Sequence, residues 1–494
     1  MSGPGVRTVA VVGGGPAGAF CALELARLLP DVTVDLYDRE DRGPGAGIVL
    51  ADEVARQVRA VHPEALRLPE SAYATWDETI TSIDGERIPS GAFGMSGISR
   101  HVFHEHVRTL AARRPNVRLI RRTVTATPEP ADLVVLADGA GSVLRQQRAE
   151  QFGTSVTAGA TRYLWLSTPT VLEPCFLIKE FGPGPLVVHA YPHAAGESTF
   201  IVEADPGTLT ALGLLDRPAA EAERELATIF RAELGGAPLT ARTAGWQAFR
   251  TVVNRRWSAG RTVLAGDAAH TVHFSTGSGT ALAIDDALCL ARSVAAHDDP
   301  LDAVAEYDSV RRPIAERMQA EAAESTAWFE QFCRGERLHG HQTVFALRSR
   351  RAANTFSRLR ERDPEFVART VARLAGHPTD AEPVDVPLTV GRVRLGHRLV
   401  ALERRDGRCV LRGADGTQAV GLVVDRTPDG LLPGIDFLAV RARPEGGRVT
   451  RSAPAARIRS QSGLPIALLV DEELPRDEAN TLIAAARTDL VALP

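Results

Sequence analysis

Apolar positions mark out three strand-then-turn units along this chain. Val9–Val12 is a short β-branched run, apolar on both faces, as a strand buried in the middle of a parallel sheet must be. Gly13-Gly14-Gly15-Pro16-Ala17-Gly18 follows, then the alanine- and leucine-rich stretch Ala19–Leu29, which predicts a helix ended by Pro30-Asp31. Val32–Tyr37 predicts a second strand, closed by Asp38. Leu133–Leu136 is another apolar strand, running into Ala137-Asp138-Gly139 with Ser142 and Arg145 beyond. A third unit, "RTVLAGDAAHTVHFSTGSGTALAIDDA" at 261–287, places a strand before Gly266-Asp267, a loop with two histidines, and glycines that open a helix. Residues 299–332 have the alanine-rich periodicity of long helices.

The first unit carries a mechanism. Gly13 allows a tight turn, Gly15 lets the backbone approach a pyrophosphate, and Gly18 permits close packing of helix on strand. The helix start at Pro16 and Ala17 offers unpaired N–H groups and a partial positive charge to an anion. Asp38, twenty residues after Gly18 with Arg39 beside it, is placed to accept hydrogen bonds from a ribose diol. These residues predict a dinucleotide site, for NAD or FAD, without a 2′-phosphate. A second glycine turn before a helix stands at Gly277–Thr280.

Composition narrows the picture. At 494 residues there is room for two or three domains, and a net charge of −4 gives no electrostatic case for nucleic acid or an anionic membrane. No apolar run reaches the length of a membrane span, and the N-terminal stretch lacks the pattern of a signal peptide, so a cytoplasmic location is expected. The five cysteines are scattered without metal-ligand spacing, and no metal site is expected. Lys179 is the sole lysine among 57 basic residues, which closes off lysine chemistry elsewhere.

The three motifs in this order resemble the single-component (group A) flavin-dependent aromatic hydroxylases with the para-hydroxybenzoate hydroxylase fold. "GAGIVLAD" at 45–52, "TRYLWLSTPTV" at 161–171, "VVHAYPHAAGESTFIVE" at 187–203 and "HTVHFSTGSGTALAIDDA" at 270–287 resemble the salicylyl-CoA and anthraniloyl-CoA hydroxylase branch. So do "STAWFEQF" at 325–332 and residues 345–367. The resemblance spans about residues 6–375. It implies FAD as cofactor, NADH or NADPH as transient reductant, and O₂ and an activated aromatic ring (phenol, aniline or hydroxypyridine) as substrates. Cofactor contacts are then expected from Gly13, Gly15, Pro16, Ala17, Gly18, Asp38, Arg39, Arg100, Asp138, Gly139, Asp267, Gly277, Gly279 and Thr280. Asp267 would hold the ribityl chain, and Arg100 would contact the FAD ahead of its helix. Where the branch carries a lysine after "GSGT", this chain has Ala281, which weighs toward natural-product tailoring over an acyl-CoA substrate. A flavoprotein scaffold without turnover is the alternative from another class.

The implied fold class is α/β: a Rossmann-like FAD-binding domain interleaved with a mixed β-sheet substrate domain, long helices, and a small α/β C-terminal domain. The expected boundaries are 1–70, 96–158 and 255–300 for the FAD domain, 71–95 and 159–254 for the substrate sheet, and 301–378 for the helical region. The tail, 379–494, resembles the first and last strands of an old yellow enzyme-type reductase. Such a barrel takes about 250 residues, so the tail reads as a degenerate, structural remnant without a second flavin. A base of pKa near neutrality would activate a phenol. His189, His273 and Tyr191 are the candidates, with His193 and His270 behind them. The helical region or the tail is the expected surface for a homo-oligomer.

Overall fold

The computed structural model describes residues 5–39, 46–91, 94–334, 340–390, 393–405, 408–412, 417–424, 435–462, 464–471 and 474–493. Gly45, at the head of the 45–52 stretch, lies outside them. The chain divides into two compact units. Unit one comprises residues 1–77, 94–175 and 188–323; unit two comprises 78–93, 176–187 and 324–494.

In chain order, unit one is built on β1 (Thr8–Val12), α1 (Pro16–Leu28), β2 (Thr33–Asp38), α2 (Arg100–Ala112), β3 (Val117–Arg121) and β4 (Leu133–Leu136). It continues through β5 (Arg162–Thr168), β6 (Leu186–Ala194), β7 (Glu197–Ala204), β8 (Thr262–Leu264), α3 (Gly279–Ala296) and the first part of α4 (Pro300–Cys333). Strands β8, β4, β1, β2 and β3 lie side by side in that order, all parallel. The Val- and Leu-rich residues of β8, β4 and β1 are buried on both faces, as the apolar runs require. Helices α1 and α3 pack on each other, and their alanines allow the close approach. All three sequence motifs leave the carboxyl ends of β1, β4 and β8, which are neighbours; ligands of open α/β sheets collect there.

The second sheet of unit one contains β5, β7 and β6 in that order. β5 and β7 are antiparallel, with Tyr163 opposite Glu203 and Trp165 opposite Ile201. Alternation puts Tyr163, Trp165, Ile201 and Glu203 on one face.

Unit two holds the end of α4, then α5 (Gly340–Ser349), α6 (Phe356–Arg362) and α7 (Pro364–Ala375). The tail adds β9 (Leu399–Ala401), β10 (Arg408–Arg412), β11 (Gln418–Val423), β12 (Phe437–Arg441), α8 (Arg448–Ser462), β13 (Ile466–Leu469), α9 (Arg476–Ala484) and β14 (Leu490–Leu493). The run β9, β14, β13, β12, β11 is parallel, with β9 beside the last strand of the chain, and β10 joins antiparallel. Packing draws different boundaries from motif order here. Val386, Val449 and Ala484 of the tail share one apolar core with Trp328, Phe345 and Phe366, so tail and helical region form one body. Glu324 of α4 caps α8 by accepting the N–H groups of Gly447 (3.1 Å) and Thr450 (3.0 Å). Fully buried Arg487 donates to Gln331 of α4 (2.7 Å) and to Ser452 (3.1 Å).

Candidate active site

The first glycine turn has the geometry its residues imply. Gly13 has φ +106°, and a Cβ there would lie 2.3 Å from the Ala137 carbonyl oxygen. A Cβ on Gly18 would fall 1.8 Å from the Gly13 carbonyl oxygen, so only glycine lets α1 seat on β1. Around Gly15 nothing lies within 4 Å of that position: this glycine faces open space. Gly15 is also the N-cap of α1, with Pro16 at the helix start, and it supplies no side chain to seal the helix. Ala17 is buried against Gly266 of the third motif. Asp38 is buried at the end of β2, accepts the Gly14 N–H (3.3 Å), and is paired with Arg108 of α2; Arg121 stands 3.5 Å away. Arg39 beside it is exposed. Arg108 was not legible in the sequence, because it approaches from a helix seventy residues downstream.

The Asp138-Gly139 and Gly266-Asp267 turns are bolted together. Gly139 has φ +90° with open space where a side chain would stand. Asp138 Oδ1 is buried with no hydrogen-bond partner among the described residues, and burial pushes this carboxyl above its ordinary value despite a bond from Ser142. Such an orphaned acceptor calls for a donor from a ligand. Fully buried Arg145 donates to Ala140 O (2.6 Å) on one turn and to Ala268 O (3.1 Å) on the other. Asp267 is exposed, yet protein crowds round it and raises its carboxyl by desolvation, partly offset by His270 and Arg100. Accessible surface together with desolvation describes a group on the floor of a cleft. Exposed Arg100, at the start of α2, lies close enough to influence Asp267, Tyr163 and Tyr191. Gly277 is left-handed (φ +63°), and α3 starts at Gly279 and Thr280 with no side-chain cap from Ser278. Two uncapped helix starts therefore meet this end of the sheet.

Behind the third motif sits Asp286 of α3, buried and saturated. It accepts the Gly266 N–H (3.0 Å), His270 Nε2 (2.7 Å) and Arg311 Nε (2.9 Å), while Trp257 stacks on His270 at 5.0 Å. Burial alone would raise its pKa, but the charges of His270 and Arg311 and these hydrogen bonds hold it below the ordinary value. His270 is thereby a scaffold residue of the turn.

The antiparallel sheet carries a second carboxylate and histidine cluster. Glu203 of β7 is fully buried. It accepts Thr161 Oγ1 (2.7 Å) and His189 Nε2 (3.1 Å), and His273 Nε2 lies 3.7 Å from its other side. Burial pushes the carboxyl up, but the charge of His273 and the bonds from His189 and Thr161 outweigh it and keep Glu203 ionised. His273 Nδ1 takes the Ser275 N–H (3.3 Å) and meets Ser275 Oγ at 2.8 Å, which assigns the proton of a neutral His273 to Nε2, toward Glu203. Four half-buried aromatics converge here: Phe274 packs edge-on to Tyr163 (5.0 Å), Trp165 (5.9 Å), Phe249 (6.3 Å) and His189 (5.2 Å). The Trp165 indole N–H is buried without an acceptor among the described residues.

Of the expected base candidates, the structure thus joins His189 to His273 through Glu203, a residue that sequence reasoning missed. The one signal was an acid directly after the apolar run Phe200–Val202. Tyr191 belongs elsewhere: its hydroxyl donates to Gly47 O (2.9 Å), burial raises its pKa, and Trp76 stacks on it. His193 meets Thr199 Oγ1 (3.1 Å) and Glu197 (3.6 Å). No metal-ligating cluster is found among the described residues, and no described helix is long and apolar enough to cross a membrane.

A parallel sheet with two uncapped glycine turns, an orphaned acid and a cleft-floor aspartate defines an FAD-binding oxidoreductase. The comparisons agree. Residues 100–322 match the FAD binding domain family and residues 10–149 an FAD-NAD(P)-binding family. The chain is 31% identical to salicyloyl-CoA 5-hydroxylase of Streptomyces sp, covering 98% of this chain and 99% of that one. It is 37% identical to 3-hydroxy-4-methyl-anthranilyl-[aryl-carrier protein] 5-monooxygenase of Streptosporangium sibiricum, over 65% of this chain and 88% of the relative. Among solved structures, the tetrameric form of 2-methyl-3-hydroxypyridine-5-carboxylic acid oxygenase shares the fold, with a TM-score of 0.54 at 21% identity, covering 66% of this chain and 93% of that one. The chain belongs to the FAD-dependent aromatic hydroxylases, flavin monooxygenases that use NAD(P)H as reductant.

Proposed function

We propose that this chain hydroxylates an electron-rich hydroxy- or aminoaryl ring seated among Tyr163, Trp165, Phe249 and Phe274, with His189 as general base. When bound, FAD supplies the redox chemistry, taking electrons from NAD(P)H and activating O₂ for insertion into the ring. Gly15, Pro16, Ala17 and the start of α1 take the pyrophosphate; Gly13 and Gly18 shape that turn. Asp38 meets the ribose, with Arg108 fixing its carboxylate, and Arg39 stands at the rim. Asp138 and Gly139 border the cleft, Asp267 takes a polyol hydroxyl, and Gly277, Gly279 and Thr280 present the second helix start. Arg100 adds a positive charge beside Asp267.

The observation that carries the substrate reading is the ionised, buried Glu203 beneath a cage of half-buried aromatics. Aromatic faces suit a flat ring. A buried anion favours a ring substituent that donates a proton, a hydroxyl or an amine, over a carboxylate. His189 donates Nε2–H to Glu203, so a neutral imidazole carries its basic lone pair on Nδ1, where it takes the phenolic proton and raises the ring's nucleophilicity. The unpaired Trp165 N–H offers a bond to an acceptor on the substrate. Tyr191 acts through Gly47 as a structural anchor.

The two relatives similar in sequence are named for a salicyloyl-CoA and for an anthranilyl group on an aryl-carrier protein, which supports a carrier-linked ring here. Ala281 favours the second reading, a free ring in natural-product tailoring. The test is NADH and NADPH oxidation with oxygen uptake by the holoprotein, against matched free phenols and anilines, hydroxypyridines, and hydroxybenzoyl- and aminobenzoyl-CoA. Stimulation by one class with a product heavier by one oxygen supports the reading and decides between the two substrates. A flavin-loaded protein stimulated by none would point to the scaffold role. We further propose that the tail is a structural remnant and that unit two supplies an oligomer surface; size measurement of protein truncated after residue 378 tests both.

A further inference from the structure

We infer that residues 268–272 form a rigid spacer that sets how far the cofactor acid Asp267 stands from Phe274 of the aromatic cage, with Thr271 and Gln319 as its positioning residues. The inference rests on the reading above that Asp267 meets FAD and that Phe274 lines the ring site.

Asp267 and Phe274 lie at the two ends of one short stretch, and the residues between them are tied down one after another. The Ala268 carbonyl accepts from Arg145 (3.1 Å) and from Asn254 Nδ2 (3.3 Å), which also donates to the Ala269 carbonyl (2.5 Å). His270 Nε2 is held by Asp286 (2.7 Å). Thr271 is stitched to the strand Arg250–Asn254. Its N–H donates to Val252 O (3.3 Å), and its hydroxyl donates to Arg250 O (2.7 Å) and accepts the Val252 N–H (2.8 Å). Gln319 of α4 closes the stitch, its Nε2 donating to Val252 O (2.8 Å) and to Thr271 O (3.0 Å). Val272 packs with Leu282, Met318 and Ala322.

Residues 269–273 belong to no helix or strand, so no ladder of their own holds their shape; side chains from other elements satisfy their backbone instead. The strand they are stitched to follows directly on Phe249, whose ring meets those of His273 (4.8 Å) and Phe274 (6.3 Å). The stitch therefore joins both segments that carry cage aromatics to the turn that carries Asp267. Oxygen insertion demands a fixed separation of ring and flavin, where a misplacement of about 1 Å costs on the order of 10²-fold. Passage of electrons from NAD(P)H to O₂ makes a weaker demand on it. With a loosened spacer, NAD(P)H, O₂ and a proton end as NAD(P)⁺ and H₂O₂, instead of one oxygen entering the ring and the other leaving as water.

The test compares Thr271→Val, Gln319→Met and Thr271→Ser holoproteins with the parent. In the first two, the visible circular dichroism of bound FAD shifts, and product per NAD(P)H oxidised falls about threefold or more, with H₂O₂ making up the difference. Thr271→Ser, which keeps the hydroxyl, restores both toward the parent. Gln319→Met decides alone if Thr271→Val fails to retain FAD, because Gln319 is half-buried and methionine keeps its length. Parental dichroism in the spacer variants, or an equal shift in Thr271→Ser, overturns the inference. Phe274→Ala checks the ring reading separately. If it lowers coupling and the spacer variants do not, the inference is overturned; if it couples like the parent while the spacer variants shift the dichroism, the ring reading falls and the spacer stands.

Discussion

Unit one contains two buried carboxylates that each hold a histidine, and their surroundings give them different work. Asp286 faces a backbone N–H, a histidine and an arginine, with Trp257 closing over the ring. Every lone-pair direction it uses ends on a group of the scaffold, so it can only hold the Gly266 turn in its left-handed shape. Glu203 faces two histidines and a threonine, with half-buried aromatics alongside. Its partners are titratable and lie beside a surface shaped for a flat ring. The same pair of residue types is a rivet in one place and lines an aromatic surface in the other. Neighbours, not residue identity, make the difference.

The sharpest way to break this comparison is to remove each acid. Asp286→Ala leaves Arg311 and His270 buried without their counter-charge and should cost about 3–5 kcal/mol in urea unfolding, with loss of bound FAD. If the variant is as stable as the parent, the rivet is misassigned. His189→Asn should reduce coupled product formation by about 10²–10⁴-fold with flavin content unchanged. His270→Asn should act in the opposite sense, lowering thermal stability more than turnover per bound flavin.

The glycines sharpen the contrast between holding a fold and holding a ligand. Gly18→Ala forces a methyl onto the Gly13 carbonyl and should destabilise the protein by about 1–3 kcal/mol. Gly15→Ala meets open space and should leave stability nearly unchanged. It should weaken FAD binding by on the order of tenfold, about 1.4 kcal/mol, because the methyl stands where the pyrophosphate approaches. Equal stability losses in the two variants would contradict the assignment of Gly15.

The smallest effect expected is on acid stability. Glu24 of α1 is fully buried; burial raises its carboxyl, but bonds from Arg27 and His62 outweigh that and hold it at about 2, against 4.5 when unfolded. A depressed carboxyl contributes stability that is complete above the unfolded value and is lost as pH falls toward the folded one. Glu24→Gln should therefore flatten the stability curve between pH 4.5 and about 2. Asp286 and Glu203 add to the same acid loss, whereas the raised Asp267 carboxyl works in the opposite direction.

Much of the nucleotide half was legible along the chain. Strand β4 falls on Leu133–Leu136 as its apolar run implies, and α1 begins at Pro16, three residues before the alanine-rich stretch, because proline is preorganised for a helix start. The substrate half was legible only as candidates. His189, His273 and Tyr191 stood ahead of His193 and His270, but the chain gave no partner for any of the five. Pairing of β6 with β7 and the loop after β8 separate them, bringing two to Glu203 and sending the others to Gly47, Glu197 and Asp286. The merger of the tail with the helical region depends on Glu324 and Arg487, which no local pattern marks.

Sequence by itself determined the turns, since a left-handed glycine, a helix-starting proline and an apolar strand act within a few residues of one another. Tertiary structure alone decided which acid meets which histidine, because a hydrogen bond between side chains acts over about 3 Å while Glu203 and His273 are seventy residues apart in the chain. Only the folded sheet closes that distance.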